Sequence, residues 1–109
     1  MIDFTDPHGP LNTWIFPPST IIHYQDEART IIGRDDGPAV IWEFGGEWWV
    51  KNNLFHRVGG PAISSRGEEF WYLEGVLHRE DGPAKKFSNG VEVYYLNGVM
   101  KNLIWNPIK

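Results

Sequence analysis

The chain has no cysteine, which excludes a disulfide framework, a thiolate zinc centre and a thiol nucleophile. It has no apolar run near the ~18 residues that a membrane-spanning helix needs. Positive charge is scarce: 10 Lys+Arg stand against 14 Asp+Glu, and 10 − 14 leaves a net charge of −4. Five Lys and five Arg are scattered without a basic stripe, which disfavours nucleic acid, and the acidic balance opposes anionic lipid. The opening MIDFTDPHGP carries two Asp and lacks the basic and apolar stretches of a secretion signal, so a cytoplasmic location is expected. Few windows escape a Gly, a Pro or a β-branched cluster, so long helices are poorly supported.

Large rings and turn residues are plentiful instead. Aromatics make up 15% of the chain, with 6 Trp beside 12 Gly and 8 Pro, a combination suited to short strands joined by tight turns. At roughly 25 cal/mol per Å² and about 150–250 Å² per ring, each buried aromatic contributes several kcal/mol before entropy is subtracted. A chain of 109 residues can therefore fold without disulfides, and abundant Trp is not by itself a sign of a ligand site.

Self-similarity organises the sequence. Gly37-Pro38-Ala39, Gly60-Pro61-Ala62 and Gly82-Pro83-Ala84 are spaced by 23 and 22 residues, and Arg34, Arg57 and Arg79 stand three positions before them. His56 and His78 precede two of those arginines. An aromatic cluster follows each motif: Trp48-Trp49, Phe70-Trp71-Tyr72 and Tyr94-Tyr95. A turn pair then follows: Asn52-Asn53, Glu74-Gly75 and Asn97-Gly98. Asn-Gly between apolar stretches predicts a two-residue hairpin turn with positive φ at both central residues, and Asn53 is the non-Gly residue best suited to the same place. Further turns are expected at Gly45-Gly46, near Arg66-Gly67 and at Asn89-Gly90. Each unit thus reads as two strands and two turns. Residues 9–33, with Gly9-Pro10-Leu11 echoing the motif, read as a degenerate leading unit in which Ile21–Tyr24 pairs with Arg29–Ile32. Pro17-Pro18 should break any strand, and Pro107 should stop strand addition at the far edge.

The period of two puts Trp49, Trp71 and Tyr94 on one face, with Trp48, Phe70, Val93, Val50, Tyr72 and Tyr95 on the other. Either the sheet curls to enclose one set, or one aromatic column is left open as a binding strip.

These units resemble the MORN repeat, through Trp71-Tyr72-Leu73-Glu74-Gly75-Val76-Leu77-His78-Arg79-Glu80-Asp81-Gly82 and Tyr95-Leu96-Asn97-Gly98. The His-Arg-x-Asp-Gly-Pro-Ala variant looks like divergent MORN-related repeats of phage and bacterial proteins, and departs from the usual pattern in its Pro-Ala. The resemblance covers about residues 33–101. It implies a non-catalytic β scaffold for protein, and sometimes lipid, contacts.

The repeated polar motif has two readings. In the structural one, Asp caps loop amides, Arg reaches a neighbouring carboxylate or carbonyl, and Gly-Pro fixes the turn. Repetition favours it, because a catalytic set is needed once and a folding device in every unit. In the functional one, a row of Arg and His holds an anion such as phosphate. His8, His23, His56 and His78 show no metal-ligand spacing. Ser64-Ser65 and Ser88 lack a nucleophile elbow, and adjacent Glu68 and Glu69 should point to opposite faces.

The expectation is an all-β, single-domain antiparallel meander over residues 1–109, of about eight strands, curled over an aromatic core. Residues 1–32 form the capping unit, 33–101 three repeats of 22–23 residues, and 102–109 an edge and tail. The function expected first is a non-catalytic module that binds a protein, of the kind in which a small phage-type factor inhibits a host or defence protein. The alternatives are a binder of a small anion such as a nucleotide and a self-associating structural protein, monomer or homodimer through an edge strand or aromatic face. No cofactor, metal, nucleic acid or membrane is expected. Candidate binding residues are Arg34, Arg57, Arg79, His56, His78, Trp49, Trp71, Tyr72 and Tyr94.

Overall fold

The computed structural model describes Leu11 and residues 14–107; Gly9-Pro10 and His8 lie outside the described residues. The chain is all-β. Its strands are β1 (Ile21–Ile22), β2 (Val40–Ile41), β3 (Glu47–Trp48), β4 (Val50–Lys51), β5 (Leu54–Phe55), β6 (Ile63–Ser65), β7 (Glu68–Phe70), β8 (Tyr72–Leu73), β9 (Val76–Leu77), β10 (Lys85–Lys86), β11 (Val91–Leu96) and β12 (Val99–Trp105). Eight of them form one antiparallel sheet in the order β1-β2-β3-β6-β7-β10-β11-β12, while β4-β5 and β8-β9 form separate hairpins.

Most strands have only two or three residues because a Gly, Pro or turn pair interrupts the chain every few positions. The turns follow the residues. Asn52-Asn53, Arg66-Gly67, Glu74-Gly75 and Asn97-Gly98 all have positive φ at both positions, between 48° and 81°. This is the geometry whose twist matches a hairpin. Asn53 occupies it at φ 64° and uses its side chain: Oδ1 accepts from Ile32 N–H at 2.7 Å, and Nδ2 donates to Thr30 O at 3.2 Å.

One row of cross-strand partners runs through the whole sheet: Ile22, Val40, Trp48, Ile63, Phe70, Lys85, Val93 and Leu103. Partners directly opposite share a face, and Val40, Trp48, Ile63, Phe70 and Val93 are buried. The neighbouring row carries Glu47, Ser64, Glu69, Lys86 and Glu92, so the opposite face of the sheet is polar in its middle. The alternation expected from sequence therefore holds, and the enclosed set is the one containing Trp48, Phe70 and Val93. Trp48 anchors the core through edge-on contacts with Trp14, Trp42 and Phe55 at 5.0–5.4 Å between ring centroids. Phe55 in turn meets Tyr72 at 5.3 Å.

The leading segment differs in register from expectation. Ile21-Ile22 pair with Ile41-Val40, while the local hairpin begins one residue later, with Gly33 N–H donating to His23 O and Tyr24 bridging Ile32. Its loop is closed by Asp26, whose carboxylate accepts from Thr30 N–H at 3.0 Å, Ile31 N–H at 2.9 Å and the Thr30 hydroxyl. These bonds hold the carboxyl below the usual aspartate range, the Thr30 hydroxyl contributing most and Ile31 N–H next. Pro17-Pro18 lie outside any strand, as expected, and begin a turn, while β12 ends two residues before Pro107.

Candidate functional site

Each Gly-Pro-Ala sits in the same hydrogen-bonded frame. Ala39 N–H donates to Trp48 O and Ala62 N–H to Phe70 O; Ala39, Ala62 and Ala84 accept in turn from His23, Trp49 and Trp71. All three alanines are fully buried. The arginine before each motif packs against the motif's glycine. A Cβ built on Gly60 or Gly82 would lie 2.7 Å from the Arg57 or Arg79 Cζ, and one on Gly37 3.1 Å from that of Arg34. A side chain at Gly60 or Gly82 would have to displace the guanidinium from this position.

The guanidinium is held on its other side by an indole. Arg57 stands 3.9 Å over Trp49 and Arg79 3.9 Å over Trp71. Their Nη1 atoms donate to Pro61 O at 3.2 Å and Pro83 O at 3.3 Å. Arg79 Nε also meets Asp81 Oδ1 at 3.0 Å, and Arg34 Nε meets Asp36 Oδ1 at 3.1 Å. In the leading unit His23 replaces the indole, and Arg34 Nη1 donates to His23 Nε2 at 3.1 Å.

The histidines have a different task. Glu74 N–H donates to His56 Nδ1 at 3.0 Å and Asn97 N–H to His78 Nδ1 at 2.9 Å, so each imidazole ties its hairpin to the next turn and carries its hydrogen on Nε2. Gly33 stands at this position in the leading unit. Gln25 reaches into the space a side chain on Gly33 would fill, and its Oε1 accepts from Asn52 N–H at 2.7 Å.

Of the candidate residues, Arg34, Trp49, His56 and Arg57 come together with Asp35, Lys51 and Val58 around a cleft of about 190 Å³. Arg79, His78 and Trp71 form the equivalent arrangement one unit on. Tyr94 is half-buried opposite Asn102 on β12. Tyr72 is a core residue at 4% exposure and offers no surface, because it lies two positions from Phe70 on the enclosed side. Among the described residues no group of three or more His, Asp or Glu side chains converges, and no helix is long and apolar enough to cross a membrane.

A second feature adds to the C-terminal edge expected from the sequence, whose apolar exposure the sequence had not indicated. All seven residues of β12 are exposed, and Val99, Met100, Leu103, Ile104 and Trp105 show between 36% and 63% of their surface. β12 ends the strand order. Leu103 continues the core row, and among the described residues no strand pairs beyond it. Compared with family models, curated proteins and solved structures, the chain matches none.

Proposed function

We propose that the protein is a non-catalytic binding module whose ligand is another protein, docked along β12. The observation that carries this reading is the open apolar end of the sheet. Five large apolar side chains are exposed on one terminal strand, which also brings both sheet faces to a backbone edge left unpaired among the described residues. Natural edge strands are normally short, charged or covered, and an exposed apolar edge marks an interaction site. An extended partner segment added as the next strand would gain main-chain hydrogen bonds, with pockets for alternate side chains supplied by Leu103 and Trp105 on one face and Ile104 on the other. Trp105 and Met100 are residue types enriched in protein interfaces, and they flank the polar Lys101 and Asn102 in the middle of the strand. In this reading the binding would block a host or defence protein, while the resemblance itself implies only a scaffold for protein contacts.

The test compares the wild-type protein with the Leu103→Lys/Ile104→Lys variant. The expected result is a partner from host lysate retained only by the wild type. Adding the purified partner should then protect β12 backbone amides from hydrogen exchange. A partner indifferent to the substitutions, or a mass that rises with protein concentration alone, refutes the reading and gives the edge to a second copy of the chain.

A further inference from the structure

In the third unit the basic motif is neutralised from within. Arg79 pairs with Asp81, and His78 Nε2 stands 3.5 Å from Glu80 Oε1. The second unit has the same bracing but different counter-charges. Val58 and Gly59 stand where the third unit has Glu80 and Asp81. Arg57 is still stacked on Trp49 and still bound to Pro61 O, and His56 Nδ1 still receives Glu74 N–H. Yet among the described residues neither the other Arg57 donors nor His56 Nε2–H meets a carboxylate. Both groups border the 190 Å³ cleft. Its other charged walls are Arg34, Lys51 and Asp35, of which Lys51 Nζ lies 3.3 Å from Asp35 Oδ1. Arg34 is paired with Asp36 and Lys51 with Asp35, so among the described residues Arg57 is the lining cation that meets no carboxylate, in a chain whose net charge is −4.

We propose that this cleft is an oxyanion site and that its ligand is a phosphoryl group, taking the place of the carboxylates that the third unit supplies itself. A phosphoryl group fits for two reasons. It carries nearly two negative charges and three acceptor oxygens, replacing two carboxylates at once for a guanidinium fork and an imidazole N–H. The volume is also small: whole drug-sized ligands occupy pockets of roughly 300–1,000 Å³, so the cleft takes the phosphoryl group and leaves any attached molecule outside. Arg57 is already immobilised by its indole and carbonyl contacts, which lowers the ordering cost of binding.

The experiment is an NMR titration of the whole chain with inorganic phosphate and, separately, with glycerol 3-phosphate, each against sodium chloride at matched ionic strength. The expected result is a saturable response at the His56 ring and Arg57 Nε–H that His78 and Arg79 do not share. Val58→Glu, an exposed substitution restoring the acidic residue of the third unit, should weaken binding about tenfold or more by supplying an internal carboxylate. Val58→Gln, of the same size without the charge, should leave it intact. Tighter binding of inorganic phosphate identifies the free ion as the ligand, and tighter binding of the ester identifies a phosphoryl group on a larger molecule; either supports the site. A response no larger than that to chloride, an equal response at His78, or unchanged binding by Val58→Glu overturns it.

Discussion

Replacing Arg79 with alanine tests the structural role of the repeated motif. Three interactions are lost at once. Stacking on Trp71 at 3.9 Å contributes about 0.5–2 kcal/mol for a partly desolvated guanidinium. The bond to Pro83 O at 3.3 Å adds about 0.5–1.5 kcal/mol. The Asp81 pair adds between about 0 and 1 kcal/mol, near the low end because the Asp81 side chain is 82% exposed. The expected total is about 2–3 kcal/mol, or a fall of about 10–20 °C in Tm for a chain of this size. Arg57→Ala provides an internal calibration. It loses the same stack and a similar carbonyl bond but no carboxylate, so its cost should be smaller by at most about 1 kcal/mol. Arg79→Lys, which keeps the charge and loses the planar stack, should recover less than half of the loss. Urea unfolding followed by Trp fluorescence measures all three. If both alanine variants fall within about 0.5 kcal/mol of wild type, the range of an ordinary surface substitution, the arginines are solvated edge residues and the bracing argument fails.

Two further outcomes follow from the same geometry. Gly82→Ala should cost about 1–3 kcal/mol by driving Arg79 off its indole. Gly37→Ala, where the clearance is 3.1 Å rather than 2.7 Å, should cost less in the same urea assay. Asp26 has its carboxyl lowered from its ordinary 3.8, so its contribution is present above that value and lost as the pH falls below it toward the folded-state value. Amides of residues 24–32 should therefore lose hydrogen-exchange protection on acidification, and Asp26→Asn should flatten that pH dependence.

Much of the fold was legible because it is written in local chemistry. Positive φ at Asn97-Gly98 and Glu74-Gly75 follows from the residues, and so does the substitution of Asn53 at the same place. Alternation gave the two faces correctly, but it could not say which face meets solvent, which is why Tyr72 stood among the binding candidates although it is buried. The glycine of Gly-Pro-Ala reads from sequence as a turn former, whereas its role is to let a guanidinium from three residues earlier lie against the backbone. Gln25 doing the work of a histidine from another position was invisible, since no spacing links it to His56. The cleft was partly legible: Arg34, Trp49, His56 and Arg57 were candidates, but Lys51 and Asp35 join them only through the packing of consecutive units. The missing counter-charge at Gly59 could be seen in the alignment of the motifs, and its meaning appears only once Asp81 is seen to pair with Arg79.

The bonds that close one hairpin onto the next have consequences for how such a chain can change length. Between the second and third units they run from Glu74 N–H to His56 Nδ1, from Gly75 N–H to Phe55 O and from Arg57 N–H to Tyr72 O. The next junction repeats them as Asn97 to His78, Gly98 to Leu77 and Arg79 to Tyr95. A duplicated stretch spanning residues 57–78 would find a matching socket on either side and would require no new interface. Growth by tandem duplication is therefore open to this architecture in the interior, as it is to solenoids generally. At the C-terminal end the pattern breaks, because Lys101 and Asn102 stand at the histidine and arginine positions, and a unit added there would need another acceptor for its turn and another brace for its motif.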